Sequence, residues 1–164
     1  MTKLIIVSIF LLITFSLSAQ TKPSEITGIS AKLFYNENSE MKEKNVAGTF
    51  SDNIIDNSSF ALWNVIIGAG SADGYTNQMI VIVTVHSVDM PSAEQTLKLT
   101  VESNEKTLST VSKKFYCVQS KTDYKILFLL DDTGCDELKL TADLIVKGKK
   151  VSKMERDIEF HCGE

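Results

Sequence analysis

The chain has 164 residues, of which 43% are hydrophobic, and a formal net charge of −4 at pH 7. Its basic residues occur singly or in pairs, whereas a nucleic-acid-binding domain usually concentrates them on one face, so that class is excluded. Its two histidines and three cysteines have no C-x-x-C or H-x-x-x-H spacing, and the sequence therefore predicts no metal site and no cofactor.

The first nineteen residues have the composition of a secretory signal peptide. One positive charge at Lys3 precedes the apolar run LIIVSIFLLITF, and small residues lead to a cleavage point after Ala19. The run is shorter than the roughly 20 residues that a membrane-spanning helix needs, and no cysteine follows it to carry a lipid anchor. The sequence predicts a signal peptide at 1–19 and a single secreted or periplasmic domain at 20–164, with no membrane anchor.

The rest of the chain has the two-residue periodicity of β-strands. Runs rich in Val, Ile, Thr and Phe alternate with Asn, Asp, Gly and Ser clusters. Short turns at 103–106, 131–134 and 147–150 predict hairpins, and the polar segment 36–59 predicts a long surface loop or an irregular sheet edge. The predicted strands are 27–35, 60–67, 78–88, 95–103, 107–118, 124–131, 136–147 and 151–161, with a weaker strand at 44–50.

Seven to nine such strands without a helical segment predict an all-β fold, an antiparallel β-sandwich. In strand number and spacing, residues 26–162 resemble the immunoglobulin-like sandwich domains of secreted bacterial proteins. The antibody order of Cys, Trp, Cys is absent, because Trp63 precedes all three cysteines. The resemblance therefore implies a fold but no functional residue, and Trp63 is predicted to pack in the core.

A glycine-rich loop follows the strand that contains the tryptophan. In FALWNVIIGAGSADGY two glycines fit the G-x-G-x-x-G nucleotide-binding loop, but Asp73 occupies the third position and a strand follows where a helix is needed. The loop therefore predicts either a plain turn or a contact loop for a partner. The residues of that candidate contact loop are Gly68, Gly70, Asp73, Tyr75 and Asn77.

Candidates for catalysis and for metal binding are few. His86 and His161 lie at predicted strand ends without a nucleophile-elbow motif, which indicates solvent-facing histidines and no enzyme. A secreted hydrolase stays open as an alternative if the fold gathers a histidine with a carboxylate and a serine. Carboxylates that could hold calcium, but that turn formation also explains, are Asp131, Asp132, Asp136 and Glu137.

The last predicted hairpin has apolar residues at even numbers on both strands, so the numbers of paired residues should have an even sum. A sum of 298 closes a three-residue loop at 148–150 and sets Leu140 opposite Ile158. That register places Asp136 opposite Cys162. Cys135 is then one residue away from the position that faces Cys162.

A disulfide is predicted between Cys135 and Cys162, over the two other pairings and over no bond. The reasons are this register and the oxidising compartment of an exported protein. The same reasoning leaves Cys117 as a buried free thiol.

Two predicted strands are apolar on both faces. Ile80 and Ile82 in one strand, and Leu127 and Leu129 in another, lie opposite the core-facing positions, where polar residues are usual. Either segment 36–59 covers this face or another molecule does. These four residues are the candidate binding surface for a protein partner or a second copy, provided that their strands are neighbours.

The function that these features favour is that of a secreted or periplasmic, non-enzymatic β-sandwich that acts through protein or ligand contacts. The alternatives are the hydrolase with a dispersed active site and a purely structural component of the cell envelope.

Overall fold

A computed structural model describes residues 24–35, 40–41, 49–55, 61–63, 74–89, 94–133 and 136–161. These residues form eleven β-strands and contain no helix, so the predicted all-β fold is confirmed. In chain order the strands are β1 (Glu25–Tyr35), β2 (Glu40–Met41), β3 (Thr49–Ile55), β4 (Ala61–Trp63), β5 (Gly74–Tyr75), β6 (Met79–Ser87), β7 (Gln95–Ser103), β8 (Lys106–Phe115), β9 (Thr122–Leu130), β10 (Leu138–Val146) and β11 (Lys149–His161).

The strands form two main sheets and one short pair. Sheet I has the order β3-β1-β6-β9, sheet II has the order β4-β11-β10-β7-β8, and β2 pairs with β5. Neighbouring strands run antiparallel except β4 and β11, which run parallel. The chain passes from one main sheet to the other between β3 and β4, between β4 and β6, between β6 and β7, between β8 and β9, and between β9 and β10. Each sheet is therefore assembled from distant parts of the sequence.

The two main sheets bury alternate side chains in one shared core. In β6 the odd-numbered residues from Met79 to Val85 are 0% exposed, because successive side chains of a strand point to opposite faces. Since both sheets contribute to a single cluster, the core lies between them. Its members are Ile26, Ile29, Ala31, Leu33, Tyr35, Met79, Val81, Val83, Val85, Ile126, Phe128 and Leu130 from sheet I, and Leu97, Leu99, Val101, Leu138, Leu140, Ala142, Leu144 and Ile158 from sheet II.

The polar segment predicted as a loop or an irregular edge contains an edge strand. The structure places β3 at residues 49–55, paired with β1, rather than at the predicted 44–50. The sequence TFSDNII has a weak strand pattern, and pairing with a long neighbour supplies the hydrogen bonds that local propensity does not. The remaining residues of this segment, apart from 40–41, lie outside the described ranges.

Of the three predicted hairpins, the one at 103–106 is confirmed and the one at 131–134 is wrong. Asn104 and Glu105 join β7 to β8 with φ values of 49° and 63°, as a type I′ turn requires. In contrast, β9 belongs to sheet I and β10 to sheet II. The segment between them therefore crosses from one sheet to the other, although its turn residues resemble those of a hairpin.

The hairpin of β10 and β11 is confirmed, but its predicted register is wrong. Lys147 and Gly148, with φ values of 49° and 73°, make a two-residue turn in place of the three-residue loop. One extra residue in β11 then shifts the register, and Ile158 pairs with Leu138 rather than with Leu140. Alternation of apolar residues cannot distinguish registers that differ by two, so the turn and the extra residue in β11 decide between them.

Candidate functional site

The structure brings the four residues of the predicted binding surface together. Ile80 pairs with Leu129, and Ile82 pairs with Leu127, in the antiparallel ladder of β6 and β9. All four alternate with core residues and face away from the core. Leu127 and Leu129 are 43% and 48% exposed, while the two isoleucines are half-buried. We refer to these four residues as the outer patch.

Polar residues border the outer patch on the side of β1. Ser30 pairs with Ile82, and Lys32 pairs with Ile80. Along β9 the patch ends at Lys125, which pairs with Thr84 of β6. The patch is therefore a short apolar band with a basic residue at each of two borders.

Segment 36–59, the alternative cover for this face, lies partly within sheet I. Its residues 49–55 extend sheet I beyond β1 as an edge strand. The rest of the segment, apart from 40–41, is outside the described residues, so the covering hypothesis stays untested there.

The most exposed large hydrophobic side chains of the described residues all lie on one lateral side of the molecule. That side is formed by β8, one edge of sheet II, by β9, one edge of sheet I, and by the connection between them. The sequence does not predict the members outside the outer patch, because isolated apolar residues in a polar strand give no periodic signal. The residues are Leu108, Tyr116, Val118, Leu127 and Leu129.

A cleft of about 450 Å³ opens between the edges of β8 and β9. Leu108 and Val111 line it from β8, and Leu129 lines it from β9. Asp131 and Asp132, which follow β9, also line it. Because Leu129 belongs both to this cleft and to the outer patch, the cleft, which has polar and apolar walls, adjoins the patch around the edge of sheet I.

A lysine of β8 caps part of the β9 edge. The Lys113 ammonium donates a hydrogen bond to the main-chain carbonyl of Leu127 at 2.6 Å and lies 5.4 Å from the centre of the Phe128 ring. Its neighbour Lys114 instead pairs with Glu94 at 2.8 Å. That hydrogen bond lowers the pKa of Glu94 and raises the pKa of Lys114.

Only one side chain of the candidate contact loop lies within the described residues. Gly68, Gly70 and Asp73 fall outside them, and Tyr75 is described only through its backbone pairing in β5. Asn77 donates from its side chain to Asp132 at 3.2 Å, and its carbonyl accepts two hydrogen bonds from Thr133, each 3.0 Å long. These bonds tie Asn77 to the segment after β9, which favours a structural role for this residue.

His86 forms a close pair with a carboxylate on the outer face of sheet I. Its Nδ1 lies 2.7 Å from an Asp123 carboxylate oxygen, and the two side chains are 33% and 60% exposed. The neighbouring Ser87 is buried, and its hydroxyl donates to the carbonyl of Asp89. Among the described residues, no serine or cysteine forms a hydrogen bond with the His86 ring.

The other predicted sites lie only partly within the described residues. The side chains of His161 and Trp63 are outside the described residues, although their backbones pair in the ladder of β4 and β11. No group of three or more His, Cys, Asp and Glu side chains converges among the residues that the structure describes. Asp131 and Asp132 instead accept hydrogen bonds from Gln78 and from Asn77.

Cys117 is a buried free thiol, as predicted. The Gln95 amide donates to its sulfur and to the Ser24 hydroxyl, at 3.1 Å in each case, so the thiol belongs to a small buried polar cluster. Cys135 and Cys162 lie outside the described residues, and the disulfide between them stays a prediction.

No model of a known protein family matches the sequence, and no curated protein matches it. The described residues also contain no helix that is long and apolar enough to cross a lipid bilayer.

Proposed function

We propose that this protein is a secreted or periplasmic, non-enzymatic β-sandwich that works by binding another protein molecule through the outer patch. The observation that carries this proposal is the direct pairing of Ile80 with Leu129 and of Ile82 with Leu127 on the outer face of sheet I. An antiparallel sheet normally presents polar residues on a face that only water covers.

The size of the outer patch argues for a larger contact surface. Burying the exposed halves of Leu127 and Leu129 contributes about 2 kcal/mol in total, whereas a micromolar complex needs roughly 8 kcal/mol. The binding surface therefore extends beyond the patch. The exposed apolar residues on the lateral side of β8 and β9 are its natural continuation, because Leu129 belongs to both surfaces.

An immunoglobulin-like topology is part of the proposal. Counted along the chain, the seven strands of nine or more residues have the order one-two-five in sheet I and four-three-six-seven in sheet II. The constant-type immunoglobulin sandwich has strands A, B, E and D in one sheet and C, F and G in the other. The two arrangements differ in the fourth strand, which here pairs with the third instead of the fifth.

Two further observations support the proposed compartment and the absence of catalysis. The composition of residues 1–19 is that of a signal peptide, which supports export. Among the described residues, His86 has a carboxylate partner but no serine or cysteine hydrogen-bonded to its ring, which favours binding over hydrolysis.

The experiment compares a patch variant with a matched control on the opposite sheet. Ile82→Lys with Leu127→Lys adds two charges to the outer patch, and Thr100→Lys with Thr141→Lys adds two charges to the outer face of sheet II, where these threonines pair. Each tagged protein is used for affinity capture from the compartment into which the host exports it. We expect the patch variant to lose the proteins that the wild type and the control capture, with its melting temperature close to that of the control.

Equal capture by the patch variant and the wild type would contradict the proposal. A patch variant whose melting temperature falls far below that of the control would also contradict it, because the four residues would then belong to a core.

A further inference from the structure

Along its outer side the edge strand β9 faces no other strand of the described residues, and Lys113 occupies the Leu127 carbonyl there. Among the described residues β9 pairs only with β6. A carbonyl that is hydrogen-bonded within the β6–β9 ladder lies between these two strands. A side chain that approaches from β8, at the edge of sheet II, cannot reach it. The hydrogen bond from Lys113 of β8 to the Leu127 carbonyl therefore indicates that odd-numbered residues of β9 direct their backbone groups away from β6.

Such an edge can pair antiparallel with the same edge of a second copy about a twofold axis. Odd-numbered residues must then face odd-numbered residues, so the numbers of paired residues have an even sum. An axis at Phe128 sets Leu127 opposite Leu129 of the second copy, and Lys125 opposite Asp131 of the second copy. Because the axis is twofold, each of these pairs occurs twice.

The neighbouring registers lack this complementarity. An axis at Leu127 sets Asp123 opposite Asp131, and so places like charges across the junction. An axis at Ile126 leaves Asp123 opposite Leu129. Opposite charges and apolar pairs at facing positions stabilise an antiparallel pair of strands, while like charges destabilise it, so the charges favour the axis at Phe128.

We propose that two copies of this chain associate through antiparallel pairing of their β9 strands, with the twofold axis at Phe128. This inference rests on the proposed function in that the contact adjoins the outer patch, and it identifies a second copy as the partner at the β9 edge, with the face of the patch left open. The two copies of sheet I join into one sheet, and their outer patches become continuous across the junction. The backbone N–H of Leu129 from the second copy replaces the Lys113 ammonium as the donor to the Leu127 carbonyl, which leaves that ammonium free.

Charge reversal tests the partner and the register together. Sedimentation velocity over a concentration series gives the dimer Kd of the wild type, of Lys125→Asp, of Asp131→Lys and of the variant with both changes. Each single change puts like charges opposite each other at two symmetry-related positions, and we expect it to raise the Kd roughly tenfold or more. The double variant restores the opposite charges, and its Kd should return to within about threefold of the wild-type value.

Asp131→Lys separates specific pairing from general repulsion. It brings the net charge of −4 closer to zero, so general repulsion alone would predict tighter association, whereas the proposed pairing predicts weaker association. A wild type that stays monomeric throughout the series overturns the inference. So does an Asp131→Lys variant that associates as tightly as the wild type, or a double variant without recovery.

Failure of this inference is distinguishable from failure of the proposed function. A monomeric wild type whose partner capture is still abolished by Ile82→Lys with Leu127→Lys rejects the second copy and leaves the outer patch as the site for a different protein. Equal capture by that patch variant and the wild type rejects the proposed function itself.

Discussion

Adjacent residues of β9 have opposite environments, and this contrast decides what each contributes. Phe128 is 1% exposed in the core, while Leu127 is 43% exposed on the outer face. The same strand therefore supplies a side chain whose loss leaves a cavity and another whose loss changes mainly the surface. Substitutions of these two neighbouring residues should therefore change the stability of the fold to very different extents.

We predict that Phe128→Ala lowers the free energy of unfolding by about 3 to 5 kcal/mol, through lost burial and the cavity left behind. Leu127→Ala should lower it by about 1 kcal/mol or less, because much of that side chain is already in water. Urea denaturation at a fixed low protein concentration measures both, with Leu127→Ala as the matched control. Equal losses for the two variants would show that the outer face of β9 is packed like the core.

At the scale of elements, a tight turn and a β-bulge together set the register of each hairpin in sheet II. Asn104 and Glu105 in one turn, and Lys147 and Gly148 in the other, all have positive φ values. The type I′ geometry needs such values at both central positions, and its twist matches that of the flanking strands. Three of these four residues are not glycine, so the backbone strain that they store is a cost that the paired strands offset.

The turn between β10 and β11 gives two predictions of opposite sign. Lys147→Asn should raise the free energy of unfolding by about 0.5 to 1 kcal/mol, because Asn-Gly is the preferred pair for a type I′ turn. Gly148→Ala should lower it by about 1 kcal/mol through backbone strain alone, since a methyl group at this position meets no atom within 4 Å. Chemical denaturation of both variants measures the two changes, and equal stability of the two variants would contradict the backbone argument.

At the scale of the whole molecule, each sheet joins strands that are distant along the chain. Sheet I takes β1, β6 and β9, while the strands between β6 and β9 belong to sheet II. A disulfide between residues that are far apart in the sequence would restrict the unfolded chain. It would leave the order of the strands in the folded sheets unchanged.

The predicted disulfide between Cys135 and Cys162 would affect the stability of the whole molecule, because it closes a loop of the chain. Closing the loop between them should stabilise the fold by roughly 3 to 4 kcal/mol on the chain-entropy model. Peptide mapping under non-reducing conditions should recover these two cysteines in one linked fragment, with Cys117 unlinked. A fragment that links Cys117 to either of them would disprove the assignment.

The sequence by itself determined the all-β class and the approximate position of most strands. It also indicated that Ile80, Ile82, Leu127 and Leu129 face away from the core. Each of these conclusions depends on the two-residue period of a strand, which is a local property of the backbone.

Tertiary structure decided which strands are neighbours. It placed Ile80 beside Leu129, set Leu138 rather than Leu140 opposite Ile158, and sent the segment after β9 to the other sheet. A period of two cannot distinguish registers that differ by two residues, and it carries no information about which sheet a strand joins. The exposed side formed by β8 and β9 follows from the strand order, because these two strands end their sheets among the described residues.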